Sequence, residues 1–404
     1  MPSPTRRAAL ALLLAVLQSR RPLEEALDAL PAMPPRDRAA GHRIAATVLR
    51  RLGSLDAALE PWLKREPPPE VRHALRIGAA EPLLLGTPPH AAVSDCVALV
   101  PRPFAGLVNA VLRRVAEAGP AALEGLDAAR LDTPAWLWSA WHAAHGPAVR
   151  AIAQAHEHEA PLDLSLKPGA VVEGALLLPN GTARLPAGTR ITELPGFAEG
   201  RFWAQDTAAS LPVRLLAPRP GERVLDLCAA PGGKTAQIAA AGAAVVAVER
   251  EARRAERLRE NLARLALPAE IVIADALQWQ PDETFDAVLL DAPCTATGTI
   301  RRHPDVAHLK RPQDVAKQAA QQGALLEAAR RWVRPGGRLV FATCSLQAEE
   351  GEAHATGGLE AVRPEEVPGL EGAITPQGAL RTRPDLWGEH GGMDGFFIAR
   401  WRGN

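Results

Sequence analysis

The chain carries no net charge, with 46 basic residues against 46 acidic ones over 404 positions. The global basic field that announces a nucleic-acid binder is therefore missing. Lysine is scarce: five of the 46 basic residues are lysine and the rest arginine. That bias suits phosphate and base-stacking contacts, and a GC-rich coding sequence would give it too. Cysteine is scarce as well. Four widely spaced cysteines build neither a disulfide framework nor a zinc ribbon, which points to a reducing cytosol. The apolar run Ala8–Leu17 follows Arg6-Arg7 like a signal-peptide core, but no A-x-A site comes after it. It is too short to span a membrane, so a buried N-terminal helix is expected.

Three familiar site patterns are also missing. Without G-x-G-x-x-G, a nicotinamide dinucleotide is disfavoured. Gly233-Lys234-Thr235 matches the end of a phosphate-binding loop, and Ala287–Asp291 mimics a strand ending in a magnesium-binding acid. The first glycine of that loop would be residue 228, which is cysteine. His156-Glu-His-Glu159 fails as H-E-x-x-H because position 160 is alanine. Two histidines at i and i+2 do not share a helix face, so no metal is expected.

What is present begins with organisation. A chain of this length holds two or three domains. From residue 5 to about 130, Leu, Val and Ala recur at helical spacing in Ala8–Leu17, Ala39–Leu52, Val71–Leu85, Ala91–Val100 and Phe104–Val115. Pro-rich loops such as Pro67-Pro-Pro69 and Pro88-Pro89 break the runs. Arginine pairs at helix ends read either as solvated faces or as an RNA-facing patch. Residues 136–205 form a transitional stretch with a strand at Leu162–Leu166, expected to be a small α+β module. From 206 onward strands and helices alternate, the mark of a parallel α/β sheet. Strands are expected at Arg223–Leu227, Ala244–Val248, Glu270–Ile273, Phe285–Leu290, Arg338–Ala342 and Phe396–Trp401. Residues 349–373 read as a surface insertion.

The chemistry concentrates at the strand ends. A strand carrying Asp226, then Cys228-Ala229-Ala230-Pro231-Gly232-Gly233-Lys234, then a helix, is a nucleotide-binding βα unit whose glycines let the backbone approach a ligand. Glu249 ends the next strand, where a carboxylate grips a ribose diol. Asp275 ends the third and suits an adenine amino group; Asp291 ends the fourth. Two cysteines join them, Cys294 in Asp291-Ala-Pro-Cys294 and Cys344 in Ala342-Thr-Cys-Ser345. Either alone reads equally well as inert packing. Together, beside an acid, they match methylation at carbon 5 of a pyrimidine. That carbon becomes nucleophilic only after a thiolate adds to carbon 6. An acid at N3 then stabilises the developing charge, and a base must remove the carbon-5 proton. Either cysteine could attack.

In these motifs the sequence resembles the Sun-type (RsmB-type) family of RNA cytosine-5 methyltransferases. Trp203-Ala-Gln-Asp-Thr-Ala-Ala-Ser210, Asp226–Thr235, Asp291-Ala-Pro-Cys294, Thr343-Cys-Ser345 and Asp394-Gly-Phe-Phe397 stand in the family's order. Leu75-Arg-Ile-Gly78 and Val108-Asn-Ala-Val-Leu-Arg113 resemble the NusB-like RNA-binding domain. The resemblance implies a multidomain fold: an all-α NusB-like domain over 1–135, a small α+β module over 136–205, and a Rossmann-like class I methyltransferase domain over 206–404. It implies S-adenosylmethionine held by Cys228–Lys234, Glu249, Asp275 and Asp291. It also implies 16S rRNA as partner, with no membrane and no metal, and a cytoplasmic setting. The family pattern gives attack to Cys344, product release to Cys294, and a substrate-side segment to Arg301, Arg302 and His303. Another RNA target, or a non-catalytic RNA-binding role, stays open. The chain departs from the family in having Glu249 where Asp is usual, Glu349-Glu-Gly351 for Glu-Glu-Asn, and Ser165-Leu-Lys167 for Arg-Val-Asn.

Overall fold

The computed structural model describes residues 3–403. They divide into two compact units, one running to His158 and including Ile300–Arg311, the other formed by Glu159–Thr299 and Pro312 onward.

The first unit is helical: α1 (Pro4–Leu17), α2 (Leu23–Asp28), α3 (Pro35–Arg50), α4 (Leu52–Leu59), α5 (Pro69–Leu84), α6 (Pro89–Leu99), α7 (Arg102–Ala118), α8 (Ala128–Leu131), α9 (Ala135–His145) and α10 (Val149–Ala155). Proline places the starts. α3, α5 and α6 each open on proline, and Pro34, Pro68 and Pro88 precede them with ψ of 131–150°. Proline at the first helical position has no N–H to lose, and it forces the residue before it into extended backbone. The Pro-Pro stretches that read as loops are thus the helix starts. The Ala8–Leu17 run lies in α1, with Ala8, Ala9, Leu12, Leu13 and Val16 buried. All but Ala8 pack with Val48, Leu55, Leu75, Val108 and Leu112 in one core. Gly78 on α5 allows a close approach there: a Cβ would lie 2.3 Å from Leu112 Cδ1 and 3.2 Å from Cys96 Sγ. Helical structure continues beyond the expected 135/136 division as far as Ala155, because Trp141 on α9 is buried against His156, ring centroids 5.4 Å apart.

The second unit begins with a small antiparallel sheet, β1 (Leu162–Leu166), β2 (Leu176–Leu177), β3 (Ala183–Leu185) and β4 (Phe202–Ala204), in the order β2–β3–β1–β4. Then follow α11 (Thr207–Leu216), β5 (Arg223–Leu227), α12 (Gly233–Ala240), β6 (Ala244–Glu249), α13 (Ala252–Arg264), β7 (Glu270–Ile273), β8 (Phe285–Asp291), then, after α14 (Val306–Leu309) of the first unit, α15 (Pro312–Arg331), β9 (Val333–Thr343), β10 (Leu380–Arg381) and β11 (Phe397–Arg402). The main sheet runs β10–β11–β9–β8–β5–β6–β7. β7 to β9 are parallel, while β11 and β10 are antiparallel. Val224, Leu225, Leu227 and Ala287–Leu290 are buried, as strands covered on both faces must be. The strand order reverses at β5, so the ligand crevice lies beyond the carboxyl ends of β5 and β8.

Two features differ from the sequence reading. Residues 349–373 are no surface insertion: Glu350, Val362, Val367 and Leu370 are buried, and the three apolar ones join the core beside β5 and β9. The segment holding α14 packs in the helical unit. There Asp305 Oδ2 accepts the Leu23 N–H at 2.9 Å, and His308 Nε2 bonds the Leu49 carbonyl at 2.8 Å. Among the described residues no helix is long and apolar enough to cross a membrane.

Candidate active site

The crevice is built on the β5–α12 turn. Gly232 sits at φ 101°, and a Cβ there would meet Leu258 Cδ1 at 2.4 Å, so the turn requires glycine. Behind the turn, Trp203 Nε1 donates to Gln205 Oε1 (2.9 Å), whose amide bonds Gln237 Oε1 (3.2 Å) and the Ala209 carbonyl (3.1 Å). The Trp203–Ser210 motif thereby braces the glycine turn. Asp206 caps α11 by accepting the Ala208 N–H and also accepts the Asp394 N–H, at 2.9 and 3.0 Å, which ties the Asp394–Phe397 motif to the same point.

Acids line the strand ends as expected. Glu249, buried at the end of β6, accepts the backbone N–H of Glu251 (3.0 Å) and Ala230 (3.3 Å) and pairs with Arg254 (3.4 Å). Asp275, just past β7, accepts the Leu277 N–H at 3.0 Å. Ile273 and Leu277, two exposed apolar side chains, flank it in the chain. The sequence placed Asp226 among the strand-end acids but gave it no ligand role. It is fully buried, with Oδ2 accepting from Thr235 Oγ1 (2.6 Å) and Oδ1 without a partner. Burial pushes its pKa up to about 7. A glycine cradle, acids at three strand ends, an orphaned carboxyl oxygen and apolar side chains suit an adenosyl methylsulfonium ligand.

Toward the other side of the crevice, Lys234 Nζ contacts Asp291 Oδ2 at 2.7 Å and lies 5.1 Å from the Phe396 ring centroid. Burial pulls its pKa down, but Asp291 outweighs burial and the net shift is upward, so the amine is an ammonium. The loop lysine therefore serves the fourth-strand acid. Beyond Asp291, Cys294 Sγ and Cys344 Sγ lie 3.4 Å apart. The hydrogen bond to Cys344, followed by burial, holds the Cys294 pKa well above the ordinary thiol value. Burial also pushes Cys228 and Cys96 up to about 12, as inert thiols. The backbone fastens the segments of Cys294 and Cys344 together: the Gly298 N–H donates to the Cys344 carbonyl (3.0 Å), and the Gly395 N–H donates to the Gly298 carbonyl (2.8 Å).

A buried polar cluster beneath the thiols had no sequence signal beyond the hydroxyl residues flanking the cysteines. Thr295, Thr297, Ser345, Gln322 and Glu350 are all buried in it. The substrate-side segment divides. Arg302 is exposed and His303 half-buried, whereas Arg301 is 1 % exposed and its carbonyl accepts from Arg50 at 2.9 Å. Arg301 is thus a packing residue of the helical unit and does not offer its side chain to RNA.

Comparison with known proteins agrees with this geometry. Residues 213–402 match the family model described as 16S rRNA methyltransferase RsmB/F, and residues 3–117 match the NusB family. The ribosomal RNA small subunit methyltransferase B of Vibrio cholerae is 36% identical over 406 residues, covering 92% of each chain. That of Thermus thermophilus is 38% identical over 394 residues, covering 94% of this chain and 92% of its own. A solved methyltransferase homolog from Pyrococcus horikoshii is 27% identical and covers 66% of this chain and 94% of its own, with a TM-score of 0.54. A glycine turn with an acid at successive strand ends, a thiol pair beside the fourth, and similarity along nearly the whole length lead to one conclusion: the chain belongs to the RsmB/F family of methyltransferases and carries a NusB-family helical domain at its N-terminus.

Proposed function

We propose that this enzyme methylates carbon 5 of a cytosine in 16S rRNA through a covalent bond between Cys344 and carbon 6. The relatives' names support the substrate, and an rRNA substrate puts the work in the cytoplasm. The single observation that carries the chemistry is the thiol pair, 3.4 Å apart, beside the Lys234–Asp291 pair.

The residues divide the work as follows. Cys228–Lys234, Glu249 and Asp275 hold S-adenosylmethionine, which supplies an electrophilic methyl group. The Lys234–Asp291 pair meets the pyrimidine edge: the Lys234 ammonium, through Asp291, passes a proton to N3 as negative charge builds there and takes it back when the adduct collapses. Cys344 adds to carbon 6, and the displaced π pair makes carbon 5 an enamine carbon that takes the methyl group. Release needs the carbon-5 proton removed while the pair of the C6–Sγ bond returns to Cys344. Adduct formation takes the Cys344 sulfur out of its hydrogen bond with Cys294, which removes the largest cause of the raised Cys294 pKa; Cys294 then loses its proton to solvent and, as a thiolate, takes the carbon-5 proton. Arg302 and His303 contact the RNA. The target base must be unpaired or flipped, because a stacked ring hides both faces of carbon 6.

Two variants test the assignment. Cys344→Ala should abolish methylation, whereas Cys294→Ala should leave protein bound to RNA as a denaturation-resistant band. An active Cys344→Ala variant together with an adduct-free Cys294→Ala variant would refute it. Bisulfite sequencing of rRNA from a deletion strain identifies the base. A site outside 16S rRNA would transfer the same chemistry to another RNA.

A further inference from the structure

Glu350 is fully buried, and its carboxylate is satisfied by neutral donors. Oε1 accepts the Thr295 N–H at 2.8 Å and Gln322 Nε2 at 3.2 Å, and Oε2 accepts the hydroxyls of Thr295 and Ser345. Its carbonyl accepts from Thr343 Oγ1 at 2.9 Å. Gln322 Nε2 also donates to the Pro293 carbonyl at 2.9 Å, and His354 Nε2 bonds Gln322 Oε1 at 3.1 Å. The residues on both sides of both cysteines, Pro293 and Thr295, Thr343 and Ser345, are therefore held by Glu350 or by its partner Gln322. Glu350, Gln322, Thr295, Thr343 and Ser345 are all buried, which keeps the clamp itself from meeting RNA or cofactor.

We propose that Glu350 is a positioning residue that, through Gln322, Thr295 and Ser345, fixes the separation of the Cys294 and Cys344 sulfurs. The inference rests on the two-thiol reading above. The two cysteines depend on the clamp unequally. Cys344 stands at the end of β9, which sheet hydrogen bonds already hold in place. Cys294 lies on an irregular loop, and Glu350 and Gln322 bind that loop on either side of it. Loss of the clamp thus displaces Cys294 more, and release fails before attack does.

The test measures rates, RNA KM and trapped adduct for the full-length enzyme with an rRNA fragment and S-adenosylmethionine. Glu350→Ala should lower kcat by roughly a hundredfold, the scale of a misplacement of about 1 Å. RNA KM should stay within about threefold, as for an interaction made only along the reaction path, and a denaturation-resistant protein–RNA band should accumulate. Glu350→Gln should restore turnover and clear the band, because the amide still accepts from Thr295 N–H and its NH2 reaches the two hydroxyls. Gln322→Leu, which leaves Glu350 in place, should accumulate a weaker band and serves if Glu350→Ala does not fold. The proposal is overturned if Glu350→Ala or Gln322→Leu shows no adduct above wild type. It is equally overturned if Glu350→Gln is as defective as Glu350→Ala. Cys294→Ala run in parallel separates the two ideas: no adduct there sinks the two-thiol reading itself, while an adduct there and none in the clamp variants sinks only the role of Glu350.

Discussion

A carboxyl group sealed from solvent with one oxygen unpartnered, as at Asp226, resists ionisation. Burial is the largest cause of its shift to about 7, and the hydrogen bond from Thr235 offsets only part of it. Its folded pKa lies above the ordinary aspartate value of 3.8, so the folded chain binds this proton more tightly than the unfolded one. The stabilisation is complete below the unfolded value and is lost as pH rises toward 7. Replacing Asp226 with asparagine removes the ionisation and keeps an oxygen for Thr235. The Tm of Asp226→Asn relative to wild type should therefore rise between pH 5 and pH 8. Its affinity for S-adenosylhomocysteine should fall if the orphaned oxygen faces the ligand. Calorimetric melts at the two pH values check the first half, and an unchanged difference in Tm refutes it. At this scale the sequence was legible wherever a residue type is demanded by the backbone or by chemistry. Gly232 needs positive φ and Glu249 ends a strand, so both stood out. The partnering of Lys234 with Asp291, the burial of Arg301 and the hydrogen bonds of Glu350 depend on which chains meet in space, and no local pattern encodes that.

The elements themselves were legible to different degrees. β5 and β7 match the expected spans, β6, β8 and β11 differ by a residue at one or both ends, and β9 begins at Val333 rather than Arg338, because short apolar runs bounded by turns mark strands well but not every extended residue beside them. Of the small sheet only β1 was legible. β2 and β3 are too short for alternation to register, and β2 leaves Leu176 and Leu177 exposed. Residues 349–373 misled for a related reason: their short 3-10 turns carry no period, yet they bury Val362, Val367 and Leu370. The same dependence on close approach explains the glycine in the Asp394–Phe397 motif. A Cβ on Gly298 would sit 1.9 Å from the Gly395 carbonyl oxygen, and one on Gly395 would sit 2.4 Å from Leu346 Cδ2. This glycine pair joins the Cys294 loop, the end of β9 and the start of β11. Gly298→Ala must therefore push two backbones apart next to both thiols. It should cost about 1–3 kcal/mol of stability, as overpacking does, and roughly a hundredfold in turnover through misplacement of the thiols. Cofactor affinity should be unchanged, because the Cys228–Lys234 turn is not touched. Initial rates set against calorimetry of S-adenosylhomocysteine binding separate the two effects, and a parallel loss of cofactor affinity would count against the argument.

For the whole molecule, the two units carry opposite proton linkages. In the helical unit His73 and His156 are buried as neutral rings. Burial lowers their pKa to about 4 and about 3, and lowers that of His308 as well. Folded values below the unfolded value of 6.5 mean that the unfolded chain binds more protons, so this unit loses stability as pH falls from about 6.5. In the other unit burial shifts the carboxyls of Asp226 and Asp163 upward; Asp226, pushed up to about 7, gains stability over the same fall, and His354, lowered by burial, opposes it in part. Acidification from pH 7.5 to pH 5 should therefore weaken the helical unit and strengthen the methyltransferase sheet. Hydrogen exchange read by mass spectrometry resolves the units in the intact chain, with rates corrected for the intrinsic effect of pH. Protection should fall in α3, α5 and α9, which carry or pack on the buried histidines, and hold or rise in β5 and β8. Asparagine at 226 should abolish most of the change in the sheet and leave the helical unit's response intact. Substituting His156 with a neutral residue that fits beside Trp141, such as glutamine, should do the reverse. Parallel changes in both units, in either direction, would show that the pH response comes from groups other than these.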